Sequence, residues 1–358
     1  MQTRSGPNPI DLLESRLGAD WSAIRNARAS AVDKRAKLRA ELAGLDSDDT
    51  SIVVFGSLAR DEFTSGSDID WTLLVDGMAN REHFDNALDI EKHIKSIEKR
   101  SPGREGTFGG LTASHDLIHK IGGEDDTNRN TTQRILLLLE SAPIARDEAY
   151  ERVIRNVLSR YVHEDYGLVH SRSPHNVPRF LQNDIARYWR TVAVDFAYKQ
   201  RERADEGWAL RVIKLRISRK LTYVSGLLTC FACEFDEPKP LPERGADNEL
   251  ILHPVVNHLR NYAQKTPLEI VAETVLHFPG LNGAALKLFD TYNEFLAGLD
   301  DNATREHLEN LPRDQVDSDE VYNGMRNLSH TFQDALTRIF LEENGTDLYN
   351  LTKVYGVF

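Results

Sequence analysis

The stretch Ser51–Gly77, SIVVFGSLARDEFTSGSDIDWTLLVDG, decides the fold of this chain. It begins with the apolar run Ile52–Phe55, which is bounded by turn residues and predicts a short buried strand. Gly56 then permits a sharp turn and a close approach of the backbone to a ligand. Ser57 is predicted to cap a short helix whose free N–H groups would bind an anion such as phosphate.

A second strand is predicted where apolar and polar residues alternate. Ile69, Trp71 and Leu73 alternate with Asp68 and Asp70, so both carboxylates fall on one face of the strand. Two carboxylates on one face repel each other unless a cation lies between them, and Mg²⁺ prefers oxygen ligands. A solvated acidic strand is the alternative, but Trp71 and Leu73 make this strand too apolar for that. The pattern therefore predicts Mg²⁺, or Mn²⁺ in its place, and metal-assisted chemistry on a nucleotide.

These residues resemble the DNA-polymerase-β-like nucleotidyltransferase superfamily. Its pattern is an apolar strand, Gly-Gly or Gly-Ser, an intervening loop, and Asp-apolar-Asp or Asp-apolar-Glu. Here Gly56 and Ser57 are followed, after ten residues, by Asp68, Ile69 and Asp70. The finer match, GSLARDEFTSGSDID, resembles the bacterial branch that contains PII uridylyltransferases, glutamine synthetase adenylyltransferases and antibiotic adenylyltransferases.

The resemblance implies an enzyme that moves a nucleoside monophosphate from a nucleoside triphosphate to an acceptor and releases pyrophosphate. The acceptor would be a protein, an RNA or a small molecule. Asp68 and Asp70 would hold two Mg²⁺ ions, and Gly56 and Ser57 would hold the β- and γ-phosphates. Two alternatives stay open. One is a synthase that joins two nucleotides into a second messenger, and the other is a non-catalytic module that binds nucleotide as a regulator or an antitoxin.

A third carboxylate on a later strand commonly completes the metal site in this superfamily. The candidate is Asp116, because residues 111–119 have room for a third strand and alternation would place Asp116 on its polar face. Asp125 and Asp126 in the following loop are competitors, and a plain surface acid is the structural alternative. His115 is a candidate general base, although a lone histidine is more often solvated or structural.

Several basic residues are candidates for binding the triphosphate. Arg60 would neutralise phosphate charge, with an ion pair to Glu62 as the alternative. Helical domains of such enzymes often supply Lys and Arg to the triphosphate tail, and Arg211 and Lys214 recur on one helical face. A solvated face with ion pairs inside the helix is the alternative. The other basic residues of this region are Arg179, Arg187, Arg190 and Lys199. The aromatic residues that either stack a base or fill the core are Tyr188, Trp189, Phe196 and Tyr198.

The rest of the chain predicts an α+β protein with a large helical region. We expect N-terminal helices over residues 1–47, a small mixed-sheet nucleotidyltransferase core over 48–145 and an all-helical domain over 146–358. Thr266-Pro267-Leu268-Glu269 is a capping box with proline at the first helical position. The predicted helices are 9–18, 21–43, a segment from 81, a segment from 131 to Pro143, 146–162, 179–204, 207–233, 249–264, 267–277, 282–297 and 319–343.

Composition limits the cellular setting. The chain has 358 residues and a net charge of −12, which argues against broad DNA binding. We expect no membrane partner, because no apolar run approaches the roughly 20 residues that span a bilayer. The N-terminus lacks the apolar core of a secretory signal. Cys230 and Cys233 have no second cysteine pair to complete a zinc site, so they are predicted to be buried thiols in a protein of the reducing cytoplasm.

Overall fold

The computed structural model describes residues 6–98, 108–170, 174–202, 206–244, 250–342 and 347–356. The strands are β1 (Thr50–Phe55), β2 (Asp70–Val75), β3 (Gly110–Ala113), β4 (Ser141–Pro143), β5 (Glu243–Arg244) and β6 (Leu250–Ile251). The α-helices are α1 (Pro9–Leu17), α2 (Ser22–Glu41), α3 (Gly56–Ala59), α4 (Arg81–Ile97), α5 (Ser114–His119), α6 (Asn128–Leu139), α7 (Glu148–Glu164), α8 (Tyr166–Val169), α9 (Arg179–Glu202), α10 (Trp208–Lys214), α11 (Lys220–Phe235), α12 (His253–Ala263), α13 (Pro267–His277), α14 (Asn282–Asp300), α15 (Asn302–Asn310), α16 (Glu320–Leu341) and α17 (Asp347–Leu351). A π-helical turn, Leu215–Arg219, joins α10 to α11 without a break. The α+β class with a helical C-terminal region is confirmed.

Four strands form a mixed sheet in the order β3-β2-β1-β4. Strand β1 is antiparallel to both β2 and β4, whereas β2 and β3 are parallel. The register places Phe55, the last residue of β1, opposite Asp70, the first residue of β2. The glycine turn that follows Phe55 therefore lies at the same end of the sheet as Asp70.

Both faces of this sheet are buried. On one face Val54, Trp71 and Leu73 pack in a cluster with residues of α2 and α4. On the other face Val53 and Leu74 join a cluster that continues through the C-terminal helices. Asp70 shares its face with Leu74, because side chains of a strand alternate. The helical region therefore lies over the face that carries Asp70.

The N-terminal helices pack on the C-terminal ones. Trp21 stacks on Phe289 of α14 with 4.6 Å between the ring centroids. The Trp21 indole N–H donates a hydrogen bond of 2.8 Å to Asp290. Residues of all three predicted segments share one continuous hydrophobic cluster. The division into three segments itself stays a prediction.

Two predicted boundaries around the sheet are wrong. Strand β3 ends at Ala113, where its partner β2 also ends at Val75, and the chain turns at once into α5. Asp116 consequently lies on a helix and not on a third strand. Helix α6 ends at Leu139, and Pro143 belongs to β4. Proline is tolerated there because β4 is an edge strand that has one partner, β1.

The helical region follows most of the predicted helices, but it is not all-helical as predicted, because β5 and β6 form a two-stranded antiparallel sheet within it. Helix α12 consequently begins at His253 and not at the predicted residue 249. The segment predicted as a helix over 207–233 contains the π-helical turn and extends to Phe235. Helix α15 lies in a segment that was not predicted to be helical, and the Asp301 side chain accepts a hydrogen bond from the Thr304 N–H at its N-terminus. Residues 101–107 of the predicted glycine-rich connection lie outside the described residues.

Cys230 and Cys233 are buried free thiols on α11, as predicted. Over the described ranges, no helix has both the length and the apolarity that crossing a membrane requires.

Candidate active site

Gly56 stands at the start of the site and has a backbone conformation that residues with a side chain rarely adopt. Its φ is +64°, and a Cβ added to it would lie 3.3 Å from Asp70 Oδ2. Helix α3 begins at Gly56, so Ser57 is its second residue and not its cap, which corrects the sequence prediction. Phe55 stands at the cap position and makes no side-chain hydrogen bond to the helix. The backbone of this turn thus lies directly against the carboxylate of Asp70.

The two aspartates flank the start of β2. Asp70 is the first strand residue, whereas Asp68 lies in the preceding loop rather than on the strand. The loop is held by a hydrogen bond of 2.9 Å from the Ser65 N–H to Asp300 of α14. A Cβ on Gly66 would lie 2.3 Å from Arg305 Nε, so α15 also packs tightly on the loop. Contacts with the C-terminal helices therefore position Asp68.

Asp70 sits in an environment that disfavours its charge. Burial, and next the charge of Asp68, raises the pKa of Asp70 to about 7. Arg219 and Lys214 act in the opposite direction on the same group. The carboxylates and both cations therefore lie within range of one another's fields.

Lys214, on the predicted basic helix, lies within electrostatic range of Asp68 and Asp70. Burial, and next the charge of Arg305, lowers the pKa of Lys214 to about 8, while Asp68 opposes that shift. Lys214 ends α10 immediately before the π-helical turn. Arg211, one turn earlier, has its guanidinium carbon 5.7 Å from the centroid of the Phe196 ring. The structure thus brings Lys214 to the acidic pair and gives Arg211 an aromatic contact.

Arg219 and Glu140 are two further residues whose charges act on Asp70, and neither is a candidate from the sequence. Arg219 Nη1 lies 2.5 Å from Glu140 Oε1, and the charge of Arg219 acts on Asp70. Arg60 Nη1 lies 2.7 Å from Glu140 Oε2, and Arg60 Nε lies 2.8 Å from Glu62. The ion pair between Arg60 and Glu62, the alternative stated above, is therefore present. The density of basic residues in RVIKLRISRK was a sequence signal for Arg219, but nothing local marked Glu140 as its partner.

Asp116 is not brought to the acidic pair. Its side chain is 46% exposed and makes a 2.7 Å ion pair with Lys120 on α5. The register carries β3 alongside β2 up to Val75, so α5 starts at the end of β2 opposite Asp70. At about 3.3 Å per strand residue, these two ends are roughly 17 Å apart. A catalytic role for Asp116 remains only a sequence prediction.

Two other candidates, Asp126 and His115, contact side chains outside the acidic pair. Asp126 accepts bonds of 2.9 Å from both Arg134 and Arg187, which ties the 121–127 loop to α6 and α9. His115 contacts His119 on the surface of α5, with 4.9 Å between the rings.

The aromatic candidates divide between core and surface. Tyr188 is buried, and Trp189 stacks on Tyr223 with 5.4 Å between centroids. Tyr198 is exposed. The Arg179 guanidinium lies 5.8 Å from the centroid of the Tyr355 ring. The Lys199 side chain lies outside the described residues.

The donor set at the acidic pair fits a divalent cation. Two neighbouring carboxylates, one with a raised pKa, are the hard oxygen ligands that Mg²⁺ accepts, with water and phosphate oxygens completing the coordination. Among the described residues no group of three His, Cys, Asp or Glu side chains is placed to hold a metal. A divalent cation at this end of the sheet would therefore take protein ligands from Asp68 and Asp70 and its remaining ligands from water or substrate.

Comparison with known protein families gives one match, which covers part of the chain. Residues 35–103 match the family described as the nucleotidyltransferase domain, and this range includes the glycine turn and both aspartates. The match is consistent with the polymerase-β-like nucleotidyltransferase superfamily. No curated protein and no solved structure gives a match to the chain. The bacterial branch suggested by the finer motif stays a prediction.

Proposed function

We propose that the protein transfers a nucleoside monophosphate from a nucleoside triphosphate to an acceptor, with release of pyrophosphate and with Mg²⁺, or Mn²⁺, at Asp68 and Asp70. One observation carries the proposal. Within the segment that matches a nucleotidyltransferase domain, Asp70 lies against a glycine turn, and the charges of Asp68, Lys214 and Arg219 all act on it. This set of charges is suited to a substrate that is both anionic and bound to a metal.

Each residue has a defined task in this proposal. Asp68 and Asp70 supply the metal ligands, and a bound divalent cation would stabilise charge on the phosphate and acceptor oxygens. Gly56 and Ser57 offer backbone N–H groups to the β- and γ-phosphates, since no side-chain cap occupies the start of α3. Lys214 and Arg219 neutralise the triphosphate charge from the opposite side.

Two further predicted phosphate ligands have different surroundings. Arg60 is 6% exposed and bound on both sides by carboxylates, so its contribution would be to hold Glu140 in place. Arg211 remains a proposed triphosphate ligand next to Lys214, from which it is separated by one helical turn.

The product identifies the reaction. The protein is incubated with each of the common ribonucleoside triphosphates labelled at the α-phosphate, with Mg²⁺, and with or without cell lysate. Label in a macromolecule supports transfer to protein or RNA, and label in a modified small molecule supports transfer to that molecule. A dinucleotide or cyclic product, identified by mass, would indicate the messenger synthase instead. Tight triphosphate binding with no pyrophosphate release under any condition would contradict an enzyme and favour the regulatory module.

We also propose that the protein acts in the cytoplasm. The two cysteines, Cys230 and Cys233, are both free thiols although they lie one helical turn apart, which suits a reducing compartment.

A further inference from the structure

A chain of alternating charges runs from the protein interior to the acidic pair. It consists of Glu62, Arg60, Glu140 and Arg219, with successive N–O distances of 2.8, 2.7 and 2.5 Å. The first three side chains are almost completely buried, whereas that of Arg219 is 33% exposed. The network therefore ends in a side chain, that of Arg219, which is partly exposed.

Glu140 is the fixed point of this network. Besides the two arginines, the Thr222 hydroxyl donates a 3.0 Å hydrogen bond to its Oε2. Although burial opposes ionisation, the charges of Arg219 and Arg60 hold the pKa of Glu140 below its usual value. Both oxygens are thus engaged, and Glu140 immediately precedes edge strand β4. A carboxylate bound in this way fixes the direction in which Arg219 points.

The π-helical turn decides which side chains face the site. Lys214 and Arg219 are five residues apart, which in a regular α-helix separates side chains by about 140° around the axis. In the Leu215–Arg219 turn, i→i+5 hydrogen bonds bring residues five apart closer to one face. The charges of both Lys214 and Arg219 act on Asp70. The extra residue of the turn thus serves to place two cations, rather than one, against the acidic pair.

We propose that Glu140 is a positioning residue that holds the Arg219 guanidinium at the acidic pair, and that Arg219 binds the triphosphate there together with Lys214. The inference rests on the proposed function and extends it to two residues. Arg219 offers a planar fork of donors that matches phosphate oxygens, whereas Lys214 offers a point charge. Glu140 does not touch the substrate; it acts through Arg219.

The test is a double-mutant cycle read out by binding. Dissociation constants for a triphosphate and for its bare nucleoside are measured in wild type, Glu140→Gln, Arg219→Ala and the double variant. Each single variant is expected to weaken triphosphate binding by about tenfold or more and to leave nucleoside binding unchanged. Because Glu140 acts through Arg219, the double variant should bind within about twofold of Arg219→Ala. Fully additive losses would overturn the proposal.

Glu62→Gln is the matched control. It removes another buried carboxylate of the same network, but Arg60 keeps Glu140, and Glu140 keeps Arg219. Its thermal stability should fall while its triphosphate affinity stays within about threefold of wild type. If Glu62→Gln weakens triphosphate binding as much as Glu140→Gln does, the effect is a general loss of structure and the proposal is wrong.

Two safeguards keep the outcomes separate. If Glu140→Gln does not fold, Glu140→Asp replaces it, since this variant keeps the charge and shortens the reach to Arg219 by one methylene. Glu140→Asp should then weaken triphosphate binding more than Glu62→Gln, and unchanged binding would overturn the proposal.

If wild type binds no triphosphate, both this inference and the proposed function fail. If wild type binds triphosphate and releases pyrophosphate but the cycle is additive, only this inference fails.

Discussion

Gly56 combines two requirements in one residue. Its positive φ favours glycine, and an added Cβ would lie 3.3 Å from the Asp70 carboxylate. We expect Gly56→Ala to cost about 1–2 kcal/mol of unfolding free energy through the left-handed backbone. It should also lower activity by more than about tenfold, because Asp70 is displaced.

Gly18→Ala is the control for Gly56→Ala. Gly18 has a φ of +62°, and no atom lies within 4 Å of its added Cβ. Denaturant unfolding should show a similar loss of stability in both variants, and a rate assay should show lost activity only for Gly56→Ala. If the two variants have equal activity, the close contact between Gly56 and Asp70 does not matter for catalysis.

Lys214 predicts how triphosphate binding depends on pH. Burial, followed by the charge of Arg305, lowers the pKa of Lys214 to about 8 in the free protein. A bound triphosphate favours the charged amine and raises this pKa, so affinity is greatest below about pH 8 and falls as the pH rises above it. The fall approaches at most about tenfold per pH unit, since one proton is involved.

The measurement is a series of triphosphate titrations from about pH 8, where Asp70 is already largely ionised, to about pH 9.5, in wild type and in Lys214→Arg. Arginine stays charged over this range, so the variant should show a flat profile. If Lys214→Arg shows the same decline as wild type, a different group is responsible and Lys214 does not contact the phosphates.

The family resemblance and the observed position of Asp116 give different predictions for the Asp116→Ala variant. The resemblance predicts a lower kcat for Asp116→Ala with little change in nucleotide KM. The observed position, on a surface helix at the far end of β2, predicts an unchanged kcat. Its exposed ion pair with Lys120 should contribute less than about 1 kcal/mol to stability. Steady-state kinetics of this one variant decide the question, since a large fall in kcat would reinstate Asp116 as a catalytic carboxylate.

At the scale of elements, α13 shows a local signal that the sequence predicts well. Thr266 accepts a hydrogen bond from the Glu269 N–H, and Glu269 accepts one of 2.7 Å from the Thr266 N–H. Thr266→Ala should cost about 1 kcal/mol of unfolding free energy. Urea unfolding measures the loss, and activity should not change because none of the proposed site residues lies on α13. No loss of stability would mean that water replaces the cap at no cost.

The elements also show where prediction from sequence ends. The existence of β1 and β2, the glycine turn and the capping box depends on neighbours in sequence, and the sequence predicts all of them. The π-helical turn was not predicted, because one extra residue does not visibly change the spacing of the apolar residues. Strand β4 was missed because three residues are too few to show alternation. The contact between Glu140 and Arg219 spans 79 residues, so no local pattern announces it.

At the scale of the whole molecule, the site is assembled from distant parts of the chain. Asp68 and Asp70 come from the loop and strand that follow α3, while Lys214 and Arg219 come from the helical region. Asp300 and Arg305 hold the Asp68 loop from a third position in sequence. The segment 35–103 that matches the nucleotidyltransferase domain therefore contains Asp68 and Asp70 but neither Lys214 nor Arg219.

The central claim is that Asp68 and Asp70 support metal-dependent nucleotidyl transfer. The most direct test measures Mg²⁺-dependent pyrophosphate release by wild type and by the Asp68→Asn/Asp70→Asn double variant, with unfolding measured in parallel. Asp85→Asn, which changes an exposed acid on α4, serves as the control. If Asp68 and Asp70 support the reaction, the double variant folds like wild type and its rate falls at least about 100-fold, while Asp85→Asn keeps a normal rate. A folded double variant that releases pyrophosphate at the wild-type rate would contradict a role for the two aspartates.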